Sequence, residues 1–143
     1  MEQTIYSSEL TGQSNNVYFR IEARDDEPFL RIAWIGFINE ERAKNGLMLE
    51  LKAMKETKRT SLLVDNRKQQ GPFPKEINRW MLENVVPQIA DLGGAKSAQI
   101  LSENFFTELS AKKLANDEAI NDQQVINLAN FANEEEAMRW LLD

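Results

Sequence analysis

Strand-forming runs alternate with segments of helical period along this chain, which predicts an α/β domain with a small mixed, mostly parallel sheet and helices packed on it. Two observations carry the expectation. Phe29 to Ile38 is apolar on both alternating faces, with Leu30, Ile32 and Trp34 on one and Ala33, Ile35 and Phe37 on the other. Such a strand is expected at the centre of a sheet covered on both sides. Beyond it, a helix of about five turns leads into the apolar strand Ser61 to Asp65, giving a βαβ unit and hence a parallel pair.

The remaining elements follow in order. Val17 to Ala23 is a strand, joined to the next by the polar hairpin Arg24-Asp25-Asp26-Glu27-Pro28, and Thr4 to Ser8 adds a short edge strand. Asn39 caps the first helix, with Glu40 and Glu41 at its positive end and Lys55, Lys58 and Arg59 at its close. Ala43, Leu47, Leu51 and Met54 mark its buried stripe. Asn66 to Phe73 reads as a loop after the Ser61 strand, and Pro74 suits the first turn of the next helix. That helix carries Ile77, Trp80, Met81 and Val85; Pro87 splits or kinks it and Gly93-Gly94 ends it. Lys96 to Leu101 is a third parallel strand, and Ser102 caps a helix containing Phe105, Phe106, Leu109 and Leu114. Val125 to Phe131 is the last strand, and Asn133 with Glu136 resembles a capping box before the helix Glu134 to Leu142. Leaving the Thr4 to Ser8 edge strand aside, the order is β-β-α-β-α-β-α-β-α.

With 143 residues, 42% hydrophobic and 28% charged, the chain fits one ordered domain over residues 1–143. No apolar run is long enough to span a bilayer, and Met1-Glu2-Gln3-Thr4 does not open a secretory signal. Without cysteine, a cytosolic address is the expectation. The net charge of −6 argues against nucleic acid, and Lys52, Lys55, Lys58 and Arg59 alternate with Glu50 and Glu56 as a solvated helix face does. The absence of histidine removes catalytic schemes built on Ser-His or Cys-His pairs. With Cys also missing, the common zinc sites are excluded. A non-enzymatic protein with neither cofactor nor metal is therefore expected.

Phe29 to Phe37, the helix after it, and Leu63-Val64-Asp65-Asn66-Arg67 leading into a Trp-bearing, Pro-interrupted helix resemble the SpoIIAA-like proteins of the STAS (sulfate transporter and anti-sigma antagonist) group. Val125 to Leu142 fits the same pattern, so the resemblance spans nearly the whole chain. The fold of that group is related to the CRAL-TRIO lipid-binding domains. The resemblance implies a small mixed sheet with helices, used without catalysis for regulation, partner binding or small-ligand binding. Anti-sigma antagonists carry a phosphorylatable Ser at the opening of the second helix. Here the stretch reads Asp65-Asn66-Arg67-Lys68, with no hydroxyl before Pro74, so a phospho-switch is not carried over.

Ligands in open α/β sheets favour the C-terminal ends of parallel strands, which brings forward Asp65, Asn66, Arg67 and Lys68 with Ser102 after the next strand. Arg67 and Lys68 suit an anionic group; the simpler reading is that Asp65 and Asn66 turn the chain and Arg67 pairs with a carboxylate. Lys68 is expected to be exposed. Phe73, between two prolines, is a candidate contact residue, and with Trp34 and Trp80 it suggests either an apolar pocket or plain core. Glu134, Glu135 and Glu136 splay around a helix and cannot converge on one ion, and Asp25, Asp26 and Glu27 lack the spacing of a calcium loop. Two functions stay open: a regulatory module acting through protein contacts or self-association, and a domain binding a small apolar ligand or lipid. An enzyme with Asp65 as acid or base is the weakest of the readings.

Overall fold

In the computed structural model, which describes residues 3–102 and 125–143, the strands form one sheet in the order of the chain: β1 (Thr4–Thr11), β2 (Val17–Arg24), β3 (Leu30–Gly36), β4 (Ser61–Gln69), β5 (Ala95–Ile100) and β6 (Ile126–Phe131). β1–β2 and β2–β3 are antiparallel, as short connections allow, and every later pair is parallel. The helices between them are α1 (Glu40–Thr57), α2 (Glu76–Asn84) and α3 (Val86–Asp91), and α4 (Glu134–Leu142) follows β6. The predicted mixed, mostly parallel sheet is therefore present. The helix expected from Ser102 through Phe105, Phe106, Leu109 and Leu114 lies outside the described residues.

Register explains the first core. Phe19 sits opposite Trp34, Ile21 opposite Ile32, and Ala23 opposite Leu30, all on one face of β2 and β3. α1 lays Ala43, Leu47, Leu51 and Met54 on that face, and α2 and α3 add Ile77, Val85, Val86 and Ile89. The Asn39 side chain accepts from the Arg42 N–H at 2.8 Å, so the cap forms where its residue type called for it. Gly46 stands mid-helix because a Cβ there would run into the Trp34 ring. Pro87 falls in the first turn of α3 and divides it from α2, and Gly93 and Gly94, at φ 95° and 96°, close that segment.

A smaller core lies on the opposite face, where α4 packs Ala137 and Leu141 against Phe29, Leu63, Ala98 and Ile100. Lys96 donates to the Trp140 carbonyl at 2.7 Å, and its ammonium lies 4.6 Å from the Trp140 ring centroid, so a cation meets the negative end of α4.

Four expectations need correction. β3 is not buried on both faces: Ala33 and Ile35 are only half-buried and Phe37 is 62% exposed. α4 packs mainly against β4, β5 and β6, while β1 and β2 meet α1 on the other face. Second, Asn66 to Gln69 are strand rather than loop, because β3 continues alongside them and pairs Ile35 with Lys68 and Gly36 with Gln69. The expected loop from Asn66 to Phe73 shrinks to the segment between Gln69 and Glu76. Third, the Arg24–Pro28 hairpin is not wholly solvated. Glu27 is buried, and Arg31 holds it through a fork of hydrogen bonds at 2.7 and 2.6 Å while reaching Glu134 at 2.9 Å. β1 also runs three residues beyond the expected Thr4 to Ser8, ending at Thr11.

Candidate functional site

The C-terminal half of β4 is shaped by a bulge. Asp65 pairs with Ala33 and Lys68 with Ile35, so β4 uses one more residue than β3 across this interval. Asp65 supports the distortion. Its Oδ1 accepts from the Arg67 backbone N–H at 3.0 Å and from Arg67 Nε at 3.0 Å, and Oδ2 accepts from Nη2 at 2.8 Å. Burial pushes the Asp65 carboxyl up, but the bonds from Arg67 and the charges of Arg67 and Lys68 outweigh it and hold its pKa below the ordinary carboxylate value. A carboxylate so occupied is a poor general base, since abstracting a proton would cost it those bonds. The Arg67 guanidinium is likewise committed to Asp65.

The six residues singled out from sequence do not form one site. Asp65, Asn66, Arg67 and Lys68 line the bulge, with Lys68 exposed. Ser102 is exposed just past β5, whose Ile100 pairs with Asp65, so it belongs to the same end of the sheet. Phe73 lies on the α1 face instead: it is half-buried and meets Trp34 edge-on at 4.9 Å between ring centroids. Trp34 in turn contacts Phe19 edge-on at 4.6 Å and is only 3% exposed. These rings pack on one another in the space that an apolar pocket there would need. Trp80 is half-buried beside the Lys44 ammonium, 5.7 Å from its ring centroid.

Two grooves open on the sheet. One, of about 360 Å³, passes over Arg24, Arg31, Asp65 and Glu134. Its charges are matched within the protein, by Arg24–Glu22 at 3.0 Å, Arg31 with Glu27 and Glu134, and Asp65 with Arg67. The Arg31 fork depresses the Glu27 pKa, its hydrogen bond outweighing the effect of burial. No group of three or more acidic residues among those described is placed to hold a metal ion.

The other groove, of about 570 Å³, lies past the end of β3 and is lined by Tyr18, Arg20, Phe37, Arg42, Lys68 and the turn before β2. Arg42 donates to the Phe37 carbonyl at 3.2 Å and stacks over the Tyr18 ring at 4.9 Å. Gly36, at φ 78°, ends the strand and lets the chain turn toward Asn39. Phe37 is thereby left beyond the sheet, with no strand beside it. Sequence reasoning found only Lys68 in this groove. Arg20 and Arg42 come from β2 and α1, and no local pattern joins them. A glycine, an aromatic and then an N-cap was the one available signal that Phe37 leaves the sheet.

A scan against models of known protein families finds no match, and a comparison with curated proteins finds none. Among solved structures, the chain is similar to an uncharacterised protein of the DUF3478 family with a SpoIIAA-like fold from Shewanella loihica PV-4. The two share 17% identity and superpose with a TM-score of 0.51, over 91% of this chain and 99% of the other. The protein thus has a SpoIIAA-like fold, as the local strings around Phe29 to Phe37 and Leu63 to Arg67 suggested. None of its described helices is long and apolar enough to cross a membrane.

Proposed function

We propose that the protein is a non-catalytic interaction module of the SpoIIAA-like kind, acting through the end of the sheet that carries Phe37 and Lys68. The observation behind this reading is Phe37, a large apolar ring 62% exposed on the rim of a groove. An isolated exposed apolar residue is ordinary, but one lining a concave surface with flanking cations suits recognition. The Asp65–Arg67 bulge serves as a rigid frame, with Asn66 within it and Lys68 projecting from it. Ser102 borders the same end of the sheet. Phe73 contributes by holding Trp34 in place rather than by contacting a partner.

Two further features support contact over chemistry or ligand storage. The Asp65 carboxylate is committed to Arg67, and Trp34, Phe19 and Phe73 occupy the interior that an apolar ligand would need. A photo-crosslinking residue placed at position 37 in the native cell tests the proposal, with Arg79, exposed on α2, as the control position. A crosslinked species of discrete mass from position 37 alone, its second protein identified from its peptides, is the expected result. The same products from both positions, or none from 37, would count against it.

A further inference from the structure

We infer that the groove beside Phe37 receives an acidic peptide segment of a protein partner, with carboxylates against Arg42 and Lys68 and an apolar side chain on Phe37. This rests on the proposed interaction module and specifies the chemistry of its partner.

The distribution of charge is the first reason. The chain has 17 basic and 23 acidic residues, yet the groove is lined by Arg20, Arg42 and Lys68 and by no carboxylate. Arg20 is already engaged by Glu9 at 2.6 Å. Arg42 uses the Phe37 carbonyl and the Tyr18 ring, and neither it nor Lys68 forms an ion pair with a carboxylate among the described residues. Two cations with no carboxylate at ion-pair distance among the described residues, set in a concave site, focus a positive potential on a molecule that is negative as a whole. The contrast with the neighbouring groove is direct, since there each arginine has its carboxylate.

Shape and polarity narrow the occupant. A free phosphate would leave Phe37 and most of about 570 Å³ unused. A nucleic acid would meet three cations on a chain of net charge −6, too few for a phosphate backbone. A peptide that places acidic and apolar side chains close together uses both parts of the wall. That wall is preformed: Gly12 donates to the Asn16 carbonyl at 3.0 Å and Asn15 to the Gly12 carbonyl at 3.0 Å, closing the turn before β2. Little ordering is then required on this side when the segment binds.

Fluorescence anisotropy on the full chain tests the inference, using a labelled peptide of alternating Glu and Leu and its Gln and Leu counterpart. The Glu-containing peptide should bind saturably and weaken with salt, and the Gln-containing one should not bind. Lys68→Glu should weaken binding by about tenfold, from a lost attraction and an added repulsion, while the protein still melts in a single cooperative transition. Phe37→Ser should weaken it as well. Equal binding of the two peptides, no saturable binding, or an affinity indifferent to Lys68→Glu would overturn the acidic occupant. So would tighter binding of a labelled single-stranded oligonucleotide, or of the chain to itself. A partner crosslinked through position 37 whose capture survives Lys68→Glu would overturn this inference and leave the interaction module standing. No crosslink at position 37 would overturn the module itself.

Discussion

Asp65 and Arg67, two positions apart on β4, are joined by three hydrogen bonds, one from the Arg67 backbone N–H and two from its guanidinium. The pair stabilises a bulge, and each of its two charges has its partner within the same strand.

That pairing sets the expected effect of Arg67→Ala. The side chains of Arg67 and Asp65 are 47% and 34% exposed, so solvent screens their attraction. The fork geometry lifts the pair above an ordinary surface bridge, and the loss should be about 1 kcal/mol in a denaturant titration. A loss of about 3–5 kcal/mol, the size expected of a broken buried pair, would mean that water does not reach it.

Trp34 should be one of the most costly positions in the chain. Trp34→Ala is expected to lose about 3–5 kcal/mol, as large-to-small core changes do. Gly46→Ala gives a sharper test of the same contact. In an exposed helix that change gains about 1 kcal/mol. Here the added methyl meets the Trp34 ring, and an overpacking loss of about 1–3 kcal/mol should result. A stabilised Gly46→Ala protein would show that α1 does not press on Trp34 as described.

The Arg31–Glu27 fork joins the hairpin to β3, and Arg31 also reaches α4 through Glu134. Arg31→Met should cost about 3–5 kcal/mol, because Glu27 is left buried without its partner. Adding Glu27→Gln should recover much of that loss. The folded pKa of Glu27 is depressed, so its contribution is present above the unfolded value and fades as pH falls through the folded one. Acid titration of stability in the Glu27→Gln protein should therefore be flatter. An unchanged acid limb would contradict the pairing.

Glu50 behaves in the opposite sense. It is buried on α1, and burial pushes its carboxyl up from 4.5 to about 7. Below about pH 4.5 the group is protonated in both states, so its charge costs the fold nothing. As pH rises the unfolded chain ionises first, and stability falls until the folded carboxyl also ionises, at about pH 7. The whole effect is about 3 kcal/mol. Glu50→Gln should be more stable than the parent at about pH 8, with the advantage gone at about pH 4. A constant difference across that range would exclude the buried carboxyl as its cause.

Much of the fold was legible because its signals are local. The Asn39 and Asn133 caps, the split at Pro87 and the glycine pair at 93 and 94 each depend on a residue and its immediate neighbours. The end of β4 was not legible, because polar Asn66-Arg67-Lys68-Gln69 is held as strand only by pairing with β3. The exposure of Phe37 was hidden for a similar reason: alternation marks a face as apolar but does not say whether a helix covers it. In the Glu27–Arg31–Glu134 cluster, Glu134 lies 103 positions from Arg31, and only the packing of α4 on the sheet brings it to the pair. The site followed the same rule. Lys68 could be found at a strand end, whereas Arg20, Phe37 and Arg42 needed the tertiary arrangement.

Native mass spectrometry of protein purified gently from its own cell is the most direct test of a filled interior and a working surface. The account predicts the bare chain, alone or with a protein partner that Phe37→Ser releases. A stoichiometric small apolar molecule that stays with the folded chain and is lost only on unfolding would contradict it.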